Sequence, residues 1–250
     1  MVKTINYKKI LLFIVIITTT FIFVSFTGGF ALLKLIKTSK PLITYPENTT
    51  GYDFSVDWFS HNLKSWNKYK AFFEGNENSQ CLEIGALEGR STLYTVQNYC
   101  NSKNSKTYVI DTWEWPISYY TPQEQKDLFA IFSYNLRDYI KNKKVIPLRG
   151  ESRKMLPQLA YEVSQNKLQK FDFVYICGSH LAKDYMFDMA LSWEMLKVDG
   201  IMAVAGYGWD KFKENPELTP KPAIDGFLVS YKGDYEILHK GFEVHLKKIR

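Results

Sequence analysis

Residues 81–91 read CLEIGALEGRS. A short apolar run closes on Gly85, a second glycine, Gly89, stands four positions later, and Ser91 opens the stretch STLYTVQNY. This is the plan of a buried strand that turns sharply into a helix. Glycines let the backbone approach a ligand closely, and the free N–H groups at the start of a helix favour an anionic group there. The turn is therefore the first candidate binding element.

Downstream, apolar runs alternate with helical patterns: QCLEI, a helix from about Ser91, TYVID, a helix near 123–141, KVIPL, a helix from Ser152, FDFVYIC, a helix near 182–196, and GIMAVA. Such alternation predicts an α/β fold of parallel strands with helices on both faces. The end differs, because YEILH and FEVHLKKI are separated only by Lys240-Gly241 and must pair as an antiparallel hairpin. In sheets of this kind a ligand lies at the carboxyl ends of the strands, near the switch point.

Upstream, Val56, Phe59, Leu63, Trp66, Tyr69 and Phe73 recur at three- and four-residue steps, which predicts an amphipathic helix over 54–73 ending near Gly75. Residues 34–52, with Pro41, Pro46 and Gly51, read as a polar linker. Residues 10–33 carry no charge, lie between Lys8-Lys9 and Lys34, and at ~1.5 Å per residue can cross a hydrocarbon core of ~30 Å. They are expected to be a transmembrane signal anchor. A cleaved signal peptide is the alternative, since a basic start and the small residues Gly28, Gly29 and Ala31 also fit one. Lysines flank both ends, so the charges leave the orientation open.

The chain has 250 residues, 46% of them hydrophobic, enough for one good core. Its net charge of +6 is spread along the chain without a basic block, so nucleic-acid binding is not indicated. Cys81, Cys100 and Cys177 are an odd number without metal-ligand spacing, and are expected to be reduced core residues rather than a disulfide framework.

A glycine turn after a first strand suits either a dinucleotide or S-adenosylmethionine. The dinucleotide fingerprint is G-x-G-x-x-G, whereas this chain has G-x-x-x-G. The acid just before the turn, Glu83, suits a methionyl ammonium group better than a pyrophosphate. The next strand ends at Asp111, 28 residues after Glu83, where a carboxylate can accept ribose hydroxyls.

The stretches CLEIGALEGRST, VIDTW, PLRGES, FDFVYICGSH, MLKVDG and PAIDGFLVSYKGDYEILHKGFEV resemble the class I S-adenosylmethionine-dependent methyltransferases, specifically the small-molecule O-methyltransferase-like type called methyltransferase domain 24. The resemblance spans about residues 54–250, so residues 53–250 are expected to be the methyltransferase domain. It implies a Rossmann-like seven-stranded sheet whose last strand is antiparallel. It also implies that Glu83, Gly85 and Gly89 form the cofactor loop, that Ser91 holds the methionyl carboxylate, that Asp111 is the ribose acid, and that Gly150 and Ser152 form the adenine-side turn. Ser152 fits a helix N-cap as well. His180 is placed on the active-site edge, and Asp188 on the following helix in a structural role.

The chain departs from that pattern where relatives carry acids at the ends of the fourth and fifth strands. It has Ile176-Cys177-Gly178-Ser179-His180 and Val204-Ala205-Gly206-Tyr207. Magnesium and calcium need hard oxygen ligands, which Cys177, Ala205 and Gly206 do not supply as side chains. No metal is expected. Without one, an acceptor hydroxyl needs another route to lose its proton, and His180 is the candidate general base, with Asp210 and Tyr207 beside it. The alternative for His180 is a histidine fixing the strand-to-helix turn. Two readings follow: a membrane-tethered, metal-independent methyltransferase acting on a hydroxyl of a small molecule or glycan-like acceptor, or a degenerate fold that binds cofactor or a protein partner without turnover. An NAD-dependent oxidoreductase is demoted by the missing middle glycine. Cellular supply of S-adenosylmethionine favours a cytoplasmic catalytic domain.

Overall fold

The computed structural model describes residues 51–114 and 127–250. The expected anchor at 10–33, most of the linker and residues 123–126 of the expected helix lie outside the described residues. No helix among the described residues is long and apolar enough to cross a membrane.

Seven strands form one sheet: β1 Gln80–Ile84, β2 Lys106–Asp111, β3 Val145–Arg149, β4 Phe171–Ile176, β5 Leu196–Val204, β6 Tyr235–Lys240 and β7 Val244–Lys248. Their order is β3-β2-β1-β4-β5-β7-β6, with β7 antiparallel to both of its neighbours and β1 to β5 mutually parallel. The α/β arrangement and the terminal hairpin are as the sequence predicts. β1 is buried at every position, as expected of a central strand covered on both faces.

The helices are α1, an irregular stretch built from Ser60–Asn62, Leu63–Trp66, Asn67–Tyr69 and Lys70–Phe73; α2 Arg90–Asn98; α3 Leu128–Asn135; α4 Arg137–Lys141; α5 Ser152–Ser164; α6 Ala182–Met195; and α7 Lys221–Ser230. Strand alternation sorts side chains between the two faces. Leu82, Ile84, Val174, Ile176, Met202 and Val204 pack with Leu156, Met189, Trp193 and Phe227 of α5, α6 and α7. Cys81, Phe173, Tyr175, Ile201 and Ala203 pack on the other face against Phe59, Trp66, Tyr69 and Phe73. Val109 and Val145 continue that layer under Leu93, Leu128 and Phe132.

Three expectations are corrected. The leading helix begins at Ser60, not at 54, because the Asp57 carboxylate accepts the backbone N–H groups of Phe59 (3.2 Å) and Ser60 (2.8 Å) and caps the stretch there. Residues 53–56 instead run as an extended strap, described below. The helix α7 has no counterpart in the apolar pattern read from the sequence. It opens on Pro220, Lys221 and Pro222, which the first helical turn tolerates because its N–H groups need no intrahelical partner. Finally, Cys81 and Cys100 are not reduced: they form a disulfide with Cα atoms 6.3 Å apart, and Cys177 is the free thiol.

Candidate functional site

The carboxyl ends of β1 to β5 lie along one edge, and the ladder continues one residue beyond the strands. Gly85 N–H donates to the Ile110 carbonyl (2.8 Å), Gly150 N–H to Asp111 (2.8 Å), Cys177 N–H to Ile84 (2.8 Å) and Ala205 N–H to Ile176 (2.9 Å). Glu83, Asp111, Gly150, Cys177, His180, Gly206 and Tyr207 are thereby brought to a single edge of the sheet. Gly85 has φ +84, and a Cβ there would sit 2.1 Å from the Cys177 carbonyl oxygen, so only glycine lets the first turn close against the fourth. Gly89, at φ +87, lets Leu136 and Phe132 pack onto the start of α2 in the same way.

Within this turn the carboxylates are held by the chain itself. Glu83 is fully buried, and its two oxygens accept the hydroxyls of Ser91 and of Thr92 (2.6 Å). Burial pushes its carboxyl up to about 7, with the Asp111 charge adding to the rise and the two hydroxyls opposing it. Glu83 thus stands behind the loop and fixes the start of α2, and Ser91 spends its hydroxyl proton on Glu83. Asp111 accepts three backbone N–H groups: Ala86 (2.7 Å) and Leu87 (3.0 Å) on one oxygen, Trp113 (2.8 Å) on the other. A carboxylate has about four acceptor directions, so one remains for a ligand. Trp113 closes this corner, packed on Phe129 and Phe132, with its indole N–H donating to the Leu87 carbonyl (3.0 Å).

Glu88, between the two glycines, had no assigned role in the sequence. It is buried and holds the strap through the Ser55 hydroxyl and the backbone N–H groups of Ser55 (2.7 Å) and Val56 (3.4 Å). Asn135 completes the fastening, accepting from Asp53 N–H (2.6 Å) and donating to the Asp53 (2.9 Å) and Glu88 (2.9 Å) carbonyls.

Gly150 joins β3 to α5, and Ser152 is the first residue of α5 rather than its cap, which is Glu151. Asp188 is buried on α6, where burial pushes its carboxyl up to about 7.

Beyond the carboxyl end of β5, Tyr207, Trp209, Asp210, Lys213 and Lys221 line a cavity of about 330 Å³. Asp210 is exposed at its wall. The Tyr207 hydroxyl donates to Asp225 (3.0 Å) and accepts from Lys221 (3.3 Å), which also pairs with Asp225 (2.6 Å). His180 has a left-handed backbone, φ +64, and its ring lies 4.7 Å from that of Trp209 and 6.0 Å from that of Tyr185. Burial lowers its imidazole to about 4, so it is neutral at pH 7. Among the described residues the ring has no hydrogen-bond partner, so it does not fix the turn by hydrogen bonding.

Cys177 lies between the two halves. Burial pushes its thiol up to about 12, with Glu243, Glu83 and Asp111 adding to the rise and Tyr175 opposing it. A thiol held protonated is a poor nucleophile at neutral pH. Among the described residues no group of three or more His, Cys, Asp or Glu side chains is arranged to hold a metal ion.

Residues 82–205 match the family described as a methyltransferase domain. No curated protein sequence matches the chain. Among solved structures, the fold resembles an O-methyltransferase of Bacillus cereus solved with SAH (TM-score 0.52, 14% identity, 87% of this chain and 89% of that one). It also resembles a candidate O-methyltransferase of Klebsiella pneumoniae (TM-score 0.55, 12% identity, 79% and 84%). The MycE methyltransferase of mycinamycin biosynthesis, solved with Mg and SAH, is similar at TM-score 0.50 and 14% identity over 79% of this chain, which spans about half (51%) of the MycE chain. The matched residues run from the first strand through the fifth, the part of the sheet that carries the glycine turn and the β2-tip aspartate. Sequence and fold thus agree: residues 82–205 match the methyltransferase-domain family, and the fold is one that solved methyltransferases share.

Proposed function

We propose that the chain is a membrane-tethered S-adenosylmethionine-dependent methyltransferase that methylates a hydroxyl of a small molecule or glycan-like acceptor without a metal ion. The observation that carries this is Asp111, whose carboxylate stands at the tip of β2 against the glycine turn with one acceptor direction left for a ribose hydroxyl. Both ribose hydroxyls fit if Ala86 and Leu87 give up their bonds to the same oxygen. Gly85 and Gly89 admit close backbone approach, and the first N–H groups of α2 suit the methionyl carboxylate.

S-adenosylmethionine, when bound, supplies a methyl group on a sulfonium centre. The chain's own residues align the acceptor. Trp209 offers a flat apolar wall, while Asp225 and Lys221 hold the Tyr207 hydroxyl in a fixed direction beside the cavity. His180 is neutral and accepts a proton at a ring nitrogen, although its lowered basicity makes it a weak base. Asp210, exposed on the cavity wall, is the second acceptor of a proton. The anchor at 10–33 rests on its uncharged run and lysine flanks.

The degenerate reading is favoured by one feature: Glu83, Ser91 and Asp111 already use most of their hydrogen bonds within the chain. Isothermal titration of the full chain with S-adenosylmethionine and its demethylated product separates the readings. Binding is expected, and Asp111→Ala should weaken it by about 1–3 kcal/mol, the scale for leaving buried partners unpaired. Absence of binding rejects the methyltransferase reading and leaves the degenerate one only as a fold that binds a protein partner. Binding without turnover across a panel of hydroxyl acceptors, with or without magnesium, selects the degenerate one. Turnover that chelators abolish rejects the metal-free mechanism.

A further inference from the structure

The disulfide occupies a particular place. Cys81 opens β1 and Cys100 follows α2, so the crosslink closes a segment that contains Glu83, Gly85, Gly89 and Ser91, the whole glycine turn. Both cysteines are fully buried, in the aromatic layer of Trp66, Phe73, Tyr99 and Phe173. The third cysteine, Cys177, lies at the far side of the turn and keeps its thiol.

Disulfides form and persist where the surroundings are oxidising, and cytosolic thiol pools keep such pairs reduced. The uncharged run at 10–33 agrees with this: retained as an anchor it can deliver the following domain across a membrane, and cleaved as a signal peptide it would do so as well. We propose that Cys81–Cys100 is an oxidative maturation site and that the folded domain resides on the oxidising side of the membrane, not the cytosolic one. In this maturation the two thiols are oxidised, the Sγ–Sγ bond forms, two protons leave, and two electrons pass to a disulfide donor that is reduced to a dithiol. The assignment does not depend on the methyltransferase reading. If that reading also holds, the methyl donor, whose supply favours the cytoplasm, must reach the same side.

Cys177 supplies an internal standard for the test. Cells expressing the full chain are quenched in acid, and the chain is denatured and alkylated with a maleimide that adds mass to each free thiol. One tag before reduction and three after are expected, and Cys177→Ser should give none and two. Three tags before reduction in the wild-type chain overturn the proposal. Protease added to the cytosolic face of sealed vesicles should leave the folded domain intact until the membrane is permeabilised, and digestion without permeabilisation overturns the assigned side even if the disulfide is present.

Discussion

Two buried carboxylates at the same sheet edge have opposite surroundings. Glu243, at the start of β7, accepts Asn62 Nδ2 (2.7 Å), Tyr175 OH (3.0 Å) and Trp66 Nε1 (2.8 Å), and its remaining direction meets His245 Nε2 (2.8 Å), whose Nδ1 faces Tyr69 OH (3.1 Å). All four acceptor directions are filled by groups from α1, β4 and β7. Glu83 has only two hydroxyls, and its carboxyl is pushed up to about 7. The saturated acid is a knot between layers with no capacity left for a ligand or a metal, while the undersatisfied one sits behind the glycine turn and titrates near neutrality. Burial alone does not separate the two acids; the count of donors does.

The comparison is broken most severely at Glu243. Glu243→Ala orphans four buried groups at once and should lower stability by about 3–5 kcal/mol, read by denaturant unfolding. A loss below 1 kcal/mol would mean that the knot does not hold α1 to the sheet. The turn around Glu83 depends instead on its crosslink. Reduction, or Cys81→Ala with Cys100→Ala, should cost roughly 3 kcal/mol, the loop-entropy scale for a crosslink spanning 19 positions. Equal unfolding midpoints with and without reductant would show that the aromatic layer suffices.

The last effect sharpens the contrast through pH. Glu83 has a folded pKa of about 7 against an ordinary 4.5, so the fold binds a proton that the unfolded chain releases in that interval. Its contribution is fully present below about 4.5 and is lost as pH rises through about 7. Asp188, raised from 3.8 to about 7, acts with the same sign. Glu83→Gln should therefore flatten the fall in stability between pH 4.5 and 7.5 by about 3 kcal/mol, leaving the Asp188 share. Denaturant midpoints across that range check it, and an unchanged slope would show that Glu83 stays ionised.

The sheet was legible because each strand is a short apolar run bounded by turn residues, and because only Lys240-Gly241 separates the last two. The glycine turn and Asp111 were legible for the same local reason. The irregular parts were not. Phe59 sits at helical spacing from Leu63 and Trp66, and nothing in that spacing reveals that the Asp57 side chain stops the helix. Pro220, Pro222 and Gly226 disguise α7 as a loop. The cysteines were misread because their partnership is a property of the path, not the spacing. The five residues of β1 climb ~17 Å, and the nine of α2 descend ~14 Å, which returns Cys100 to the level of Cys81. The donors around Glu243 come from Asn62, Trp66, Tyr175 and His245, far apart in the chain, and no local pattern announces them.

The strap has a mechanical consequence. Residues 53–56 are lashed to Asn135 and to Glu88, and Glu88 lies between the two glycines of the turn. Tension entering the domain at residue 51 reaches these side-chain bonds before it reaches the strands, and it bears directly on the glycine turn. If the turn holds the proposed cofactor, the force needed to peel residues 53–56 away should depend on whether it is occupied.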